Sequence, residues 1–227
     1  MQPAEGPAVH APAAAHAPVA AHALVAILRG VQPKRVIAIA EVLYEAGIRI
    51  IEVPLNSPDP LDSIKRIADR FGDVAFVGAG TVLTIANVNA VIAAGGRLIV
   101  APNVAQAVAD AASAGGIDYV PGICTVSEAF MALETGAVAL KLFPAEMIPP
   151  PAVKAMLAVL PQGTRLLPVG GIDETTMSAY AAAGAKGFGL GSAIYKPGMK
   201  AADVAARAVS LKQAWQTITT RSAPIIV

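Results

Sequence analysis

One cysteine, Cys124, occurs in the 227 residues. An intramolecular disulfide and a cysteine-rich zinc site are therefore excluded. Histidine is nearly as scarce, because His10, His16 and His22 all fall in the first 22 residues. The rest of the chain offers no imidazole to activate a serine or cysteine or to ligate a metal. Aromatic residues are 4% of the chain, too few to build stacking platforms for nucleic-acid bases. Charge is balanced, with 17 Lys+Arg against 16 Asp+Glu, so no basic field exists to attract a polyanion and no acidic tail to repel one. Nucleic acid is not an expected partner.

Residues 6–28 carry no formal charge, but Pro7, Pro12 and Pro18 make the stretch a poor membrane span. It also lacks the basic start of a secretory signal and the arginines of a mitochondrial presequence. The His-Ala-Pro repeats at 10–12 and 16–18 could bind metal weakly, yet a mobile Ala/Pro-rich tail over 1–22 is the better reading. A cytoplasmic protein without a membrane partner is expected.

What the chain does have is alanine, which dominates the 55% hydrophobic fraction and suits helices packed closely on a sheet. From Ala23 onward, short apolar runs alternate with segments of helical spacing. Strands are expected at 23–29, 49–55, 74–80, 98–101, 119–120, 138–143, 166–169 and 187–190. Helices are expected at 33–46, 61–71, 85–94, 104–114, 125–134, 152–160, from Asp173 to Ala183, and 201–217. Asp173 reads as the N-cap of the seventh helix, and Thr125 with Glu128 has the spacing of a capping box. Eight strand-then-helix units with apolar strands describe one (βα)8 TIM barrel over 23–220, followed by a short tail at 221–227. A doubly wound sheet has the same alternation, but no Gly-x-Gly-x-x-Gly follows the first strand.

Such barrels build their chemistry at the C-terminal ends of the strands. Arg49, Arg97, Asp118 and Arg165 open or precede strands and belong to the opposite rim. Arg29, Glu52 and Lys141 lie late in the first, second and sixth strands. Lys141 alone, in Val138-Ala-Leu-Lys-Leu-Phe-Pro144, reads as an edge-strand lysine with its head in water. Joined by Glu52 and Arg29 it reads as a site, because a desolvated amine is a nucleophile towards carbonyl carbon. Gly170-Gly171 after strand seven, and Gly191-Ser192 after strand eight, occupy the loops that commonly bind phosphate in these barrels. A phosphorylated small molecule is the expected ligand class.

The segments Ala26-Ile-Leu-Arg-Gly30, Ile51-Glu-Val-Pro-Leu-Asn-Ser-Pro58, Gly78-Ala-Gly-Thr-Val-Leu83, Ala139-Leu-Lys-Leu-Phe-Pro144 and Pro168-Val-Gly-Gly171 occur in order. With them the chain resembles the aldolases of 2-keto-3-deoxy-6-phospho sugar acids, from about Ala23 to Thr217. The resemblance implies a (βα)8 barrel, a homotrimer, and Schiff-base (class I) chemistry without metal or cofactor. It implies Lys141 as the Schiff-base lysine, Glu52 as proton shuttle and Thr81 as a ligand of the pyruvyl carboxylate. Arg29, Gly170, Gly171, Gly191 and Ser192 would hold anions, chiefly the phosphate.

Asn56 and Val169 depart from the phosphogluconate branch of that family, which has arginine and threonine there, and match its phosphogalactonate branch. The implied reaction is cleavage of the phosphogalactonate to pyruvate and glyceraldehyde 3-phosphate. A selectivity for the phosphogluconate epimer and a non-catalytic phosphosugar-binding barrel are the alternatives.

Overall fold

The computed structural model describes residues 22–221. Of the two expected tails, only His22 and the backbone of Arg221 fall among them. The strands are β1 (Leu24–Ile27), β2 (Ile50–Pro54), β3 (Phe76–Gly80), β4 (Leu98–Val100), β5 (Asp118–Val120), β6 (Gly122–Ile123), β7 (Leu140–Leu142), β8 (Leu166–Pro168) and β9 (Phe188–Leu190). The helices between and after them are α1 (Pro33–Glu45), α2 (Pro60–Phe71), α3 (Ile85–Ala93), α4 (Gln106–Ala114), α5 (Val126–Glu134), α6 (Pro150–Val159), α7 (Met177–Ala182) and α8 (Ala201–Arg221).

All strand pairs are parallel, in the orders β5-β4-β3-β2-β1-β9 and β6-β7-β8. The fifth expected strand is longer than its two-residue reading and is broken at Pro121, which has no N–H to donate. Pro121 still accepts a hydrogen bond from Lys141 N at 2.9 Å, so the chain passes from one sheet into the other without leaving the ladder. At the far edges, Val169 bridges Gly189 and Lys186 N donates to Leu166 O at 3.1 Å.

Strand periodicity sorts side chains into two apolar layers. Leu24, Ala26, Ile51, Val53, Ile99, Leu140, Leu142 and Phe188 pack with the helices in the larger core. Val25, Ile50, Phe76, Leu98, Val100, Val120, Ala139 and Leu167 form the second cluster on the other face. Residues one step further along β2 and β7 with the parity of that inner face, Glu52 and Lys141, therefore point into the same interior.

Helix starts follow local chemistry. Thr125 Oγ1 accepts from Glu128 N, and Glu128 Oε2 accepts from Thr125 N at 2.8 Å, so the expected capping box forms. Asp173 caps the turn that leads into the seventh helix, as expected, and its carbonyl accepts from Met177 N at 3.1 Å. Asp173 Oδ1 accepts from the N–H groups of Thr175 and Thr176, closing a side-chain turn, and the regular helix begins only at Met177. Among the described residues no helix is long and apolar enough to cross a membrane.

Candidate active site

β2 and β7 are buried along their whole lengths, so a charge at an inward position is largely removed from bulk water. Glu52 is 2% exposed and Lys141 is 6% exposed. Glu52 stands in register with Ile27 on one side and Gly78 on the other; Lys141 is in register with Gly122 and Leu167. Both line one interior cavity of about 20 Å³ with Val25, Val100, Val120, Val169 and Gly189. That is room for about one water among apolar walls. Gly80, at the end of β3, makes the space for the carboxylate, since a Cβ there would overlap the Glu52 oxygens. Oε2 of Glu52 has no hydrogen-bond partner among the described residues. A buried carboxylate oxygen left in this way is costly in a purely structural role.

Burial dominates the electrostatics of both groups. It pushes the Glu52 carboxyl up to about 7, against the opposing pull of Lys141 and Arg29. It pushes the Lys141 ammonium below its usual range; Glu52 opposes this and Arg29 adds to it. The two shifts converge, which moves an acid and a base towards the pH where a proton passes readily between groups. Lys141 Nζ also sits 4.5 Å from the centroid of the Phe143 ring, whose face favours a cation.

Arg29 and Asn56 come together although 27 residues separate them: the guanidinium donates to Asn56 Oδ1 at 2.6 Å. Below them Gly30 N donates to Ser57 Oγ at 2.9 Å, tying the loop after β1 to the loop after β2. Arg29 and Asn56 are exposed, but Arg29 acts electrostatically on Glu52 and on Lys141. Thr81, directly after β3, has φ of 58°. The left-handed region is strained for a β-branched side chain by on the order of 1–3 kcal/mol, a pattern that gathers at functional sites. Val169 is 9% exposed and lines the Glu52–Lys141 cavity.

The expected anion loops form a separate opening. Gly171 and Ser192 line one surface cavity with Asp173, Glu174, Ala193, Lys196 and Arg207. Gly170 and Gly171 have φ of 106° and 62°, conformations that suit glycine. Among the described residues, none of the N–H groups of Gly171, Ile172, Ser192 and Ala193 donates to a backbone carbonyl. Neighbouring free donors of this kind form an anion-binding concavity. Glu146, in a 3-10 turn after β7, lies against Gly170 and Gly171, where a Cβ on either would crowd it.

Sequence reasoning missed Gly80, Phe143, Ser57, Lys196 and Arg207. Two of them carried a usable signal: alternate glycines at Gly78 and Gly80 mark a close approach inside a strand, and Phe143 has the same strand parity as Lys141. Among the described residues no group of three or more His, Cys, Asp or Glu could hold a metal ion.

The chain is similar to known proteins over most of its length. The family model for KDPG and KHG aldolase matches residues 17–209. A probable 2-dehydro-3-deoxy-6-phosphogalactonate aldolase of Rhizobium meliloti is 43% identical over 194 residues, 86% of this chain and 92% of its own length. The 2-dehydro-3-deoxy-6-phosphogalactonate aldolase of Escherichia coli is 40% identical over 192 residues, 85% of this chain and 94% of its own. A solved structure described as native KDPGal superposes with a TM-score of 0.85 at 40% identity, covering 87% of this chain and 96% of that one. The chain belongs to the KDPG and KHG aldolase family.

Proposed function

We propose that this chain is a Schiff-base aldolase that cleaves 2-dehydro-3-deoxy-6-phospho-D-galactonate to pyruvate and D-glyceraldehyde 3-phosphate. The observation that carries this reading is the pair of buried groups, Glu52 and Lys141, facing one apolar cavity with pKa values displaced towards each other. The two relatives of that name, similar over more than four-fifths of the chain, support the substrate.

Each step has a group suited to it. Neutral Lys141 Nζ attacks the C2 ketone, and loss of water leaves an iminium that serves as an electron sink. Burial raises the neutral fraction of that amine. Glu52 removes the C4 hydroxyl proton as the C3–C4 bond breaks, and the bonding pair passes into the iminium to give an enamine. Glyceraldehyde 3-phosphate departs, protonated Glu52 returns a proton to C3, and water hydrolyses the new iminium to pyruvate and free Lys141.

Thr81 and Asn56 act at the pyruvyl carboxylate, and Arg29, expected chiefly at the phosphate, is anchored on Asn56 and instead supplies positive charge beside the pair. Gly170, Gly171, Gly191 and Ser192 hold the phosphate at the second opening, fixing the substrate so that its binding energy is used at C3 and C4. Val169 presents only methyl groups near C4 and so discriminates between the epimers there.

The finer architecture belongs to the same proposal. The Pro121 continuity and the Val169–Gly189 bridge support a closed (βα)8 barrel, a single domain over 23–220 flanked by tails at 1–22 and 221–227. Exposed Phe130, Met131, Phe143 and Met147, from two successive units, are apolar groups that a homotrimer interface would cover. A cytoplasmic setting suits a phosphate ester whose charge bars it from crossing a bilayer unaided.

A coupled assay for pyruvate release, run side by side on both C4 epimers, tests the reading. Faster turnover of the phosphogalactonate is expected. A preference for the phosphogluconate would overturn the epimer assignment, and no pyruvate from either would overturn the aldolase.

A further inference from the structure

The loop from Gly191 to Lys200 carries Ser192 and Lys196 to the anion cavity and is held by two arginines from helices. Arg207 of α8 donates from Nη1 to Ser192 O at 3.0 Å and to Ala193 O at 3.2 Å. Arg35 of α1 donates to Met199 O at 2.6 Å, at the loop's other end. Ile194 N and Tyr195 N both donate to Gly191 O at 3.0 Å. The first carbonyls of the loop are thus all engaged, while the N–H groups of Ser192 and Ala193 donate to no backbone acceptor among the described residues.

Net charge does not explain anion binding here. Lys196 and Arg207 line the cavity, but so do Asp173 and Glu174, and Glu146 packs against Gly170 and Gly171 nearby. The cations are matched by carboxylates, so recognition of an anion falls on the directed backbone donors. Their direction then decides affinity.

We propose that Arg207 is a positioning residue of the phosphate site. It fixes the planes of two peptide units, and because the amide is planar and trans, fixing the Ser192 carbonyl fixes the direction of the Ala193 N–H. A charged donor on that carbonyl also polarises the amide and strengthens its N–H as a donor. Arg207 suits the task because a planar guanidinium bridges two acceptors, which a point-charge ammonium does less well. The inference rests on the reading that the Gly170-Gly171 and Gly191-Ser192 loops hold the substrate phosphate.

The test compares Arg207→Met and Arg207→Lys with the wild type in three readouts. These are KM for the phosphorylated substrate, Ki for inorganic phosphate as a competitive inhibitor, and the rate of borohydride-trapped pyruvate addition at Lys141, which needs no phosphate. For Arg207→Met, KM and Ki should each rise about tenfold, the effect of losing one charge-assisted hydrogen bond, with pyruvate addition within about twofold. Arg207→Lys should recover only part of the loss, and it serves alone if the methionine variant does not fold.

Unchanged KM and Ki, a lysine variant equal to wild type, or a parallel fall in pyruvate addition would each overturn the positioning role. A wild type that adds pyruvate but is not inhibited by phosphate would overturn the loop assignment on which the role rests. A wild type that adds no pyruvate would instead overturn the Schiff-base reading, and the Ki comparison would still decide the role of Arg207.

Discussion

Gly80 and Glu52 share one space: the carboxylate oxygens of Glu52 occupy the volume that a Cβ on residue 80 would need. Glu52 is buried and its neighbours in β1 and β3 are held by parallel pairing, so its carboxylate can give way only into the cavity it lines. Gly80→Ala should therefore displace the carboxylate. Loss of position by about 1 Å at a proton-transfer group lowers turnover on the order of 10²-fold. Overpacking costs about 1–3 kcal/mol of stability. Steady-state kinetics and urea melts should show a large fall in kcat with a folded protein; full activity in the alanine variant would contradict the shared-space account.

The elevated Glu52 carboxyl makes stability depend on pH with a definite sign. Its native value of about 7 lies above the ordinary 4.5, so between these pH values the native state holds more proton than the unfolded chain. The favourable contribution is fully present below 4.5 and is lost as pH rises through about 7. At about 1.4 kcal/mol per pH unit, the loss is roughly 3 kcal/mol. Glu52→Gln removes that titration, so the stability difference between wild type and variant should move against the wild type by roughly this amount between pH 4.5 and pH 8. Urea unfolding at both pH values measures it; parallel curves would show that Glu52 does not titrate in this window. For activity, kcat/KM should fall below pH about 7, where Glu52 carries a proton and cannot accept another.

Val169→Thr should move the preference between C4 epimers towards the phosphogluconate by about tenfold, because a hydroxyl replaces a methyl group beside the reacting pair. The change is nearly isosteric, so thermal stability should fall by only about 1 kcal/mol. The ratio of kcat/KM values for the two epimers is the measurement, and an unmoved ratio would remove Val169 from the specificity determinants.

Lys141 and Glu52 were legible because charge late in an apolar strand is conspicuous, and strand periodicity assigns it to one face, whereas Arg29, expected at the end of the first strand, stands exposed in the turn after β1. The Gly170-Gly171 turn was legible because few other residues tolerate its backbone angles, and Gly191 by its place after the last strand. The fifth strand was legible only at 119–120, because Pro121 interrupts it, although the Pro121 carbonyl stays in the ladder and pairing resumes at Gly122. Asp173 was legible as a cap, and its Oδ1 accepts from the N–H groups of Thr175 and Thr176, although the regular helix starts only at Met177. Which influence prevails at Lys141 depended on three-dimensional burial, which outweighs Glu52. Arg207 could not be read at all: on a helix it looks like a solvated cation, and its acceptors lie 14 and 15 residues away.

The central claim is that Lys141 forms the imine. Incubating the enzyme with pyruvate and borohydride, then locating the adduct by peptide mass spectrometry, tests it most directly. The account predicts a stable reduced adduct on Lys141 and none in Lys141→Met. An adduct on another lysine, or none on the wild type, would contradict it.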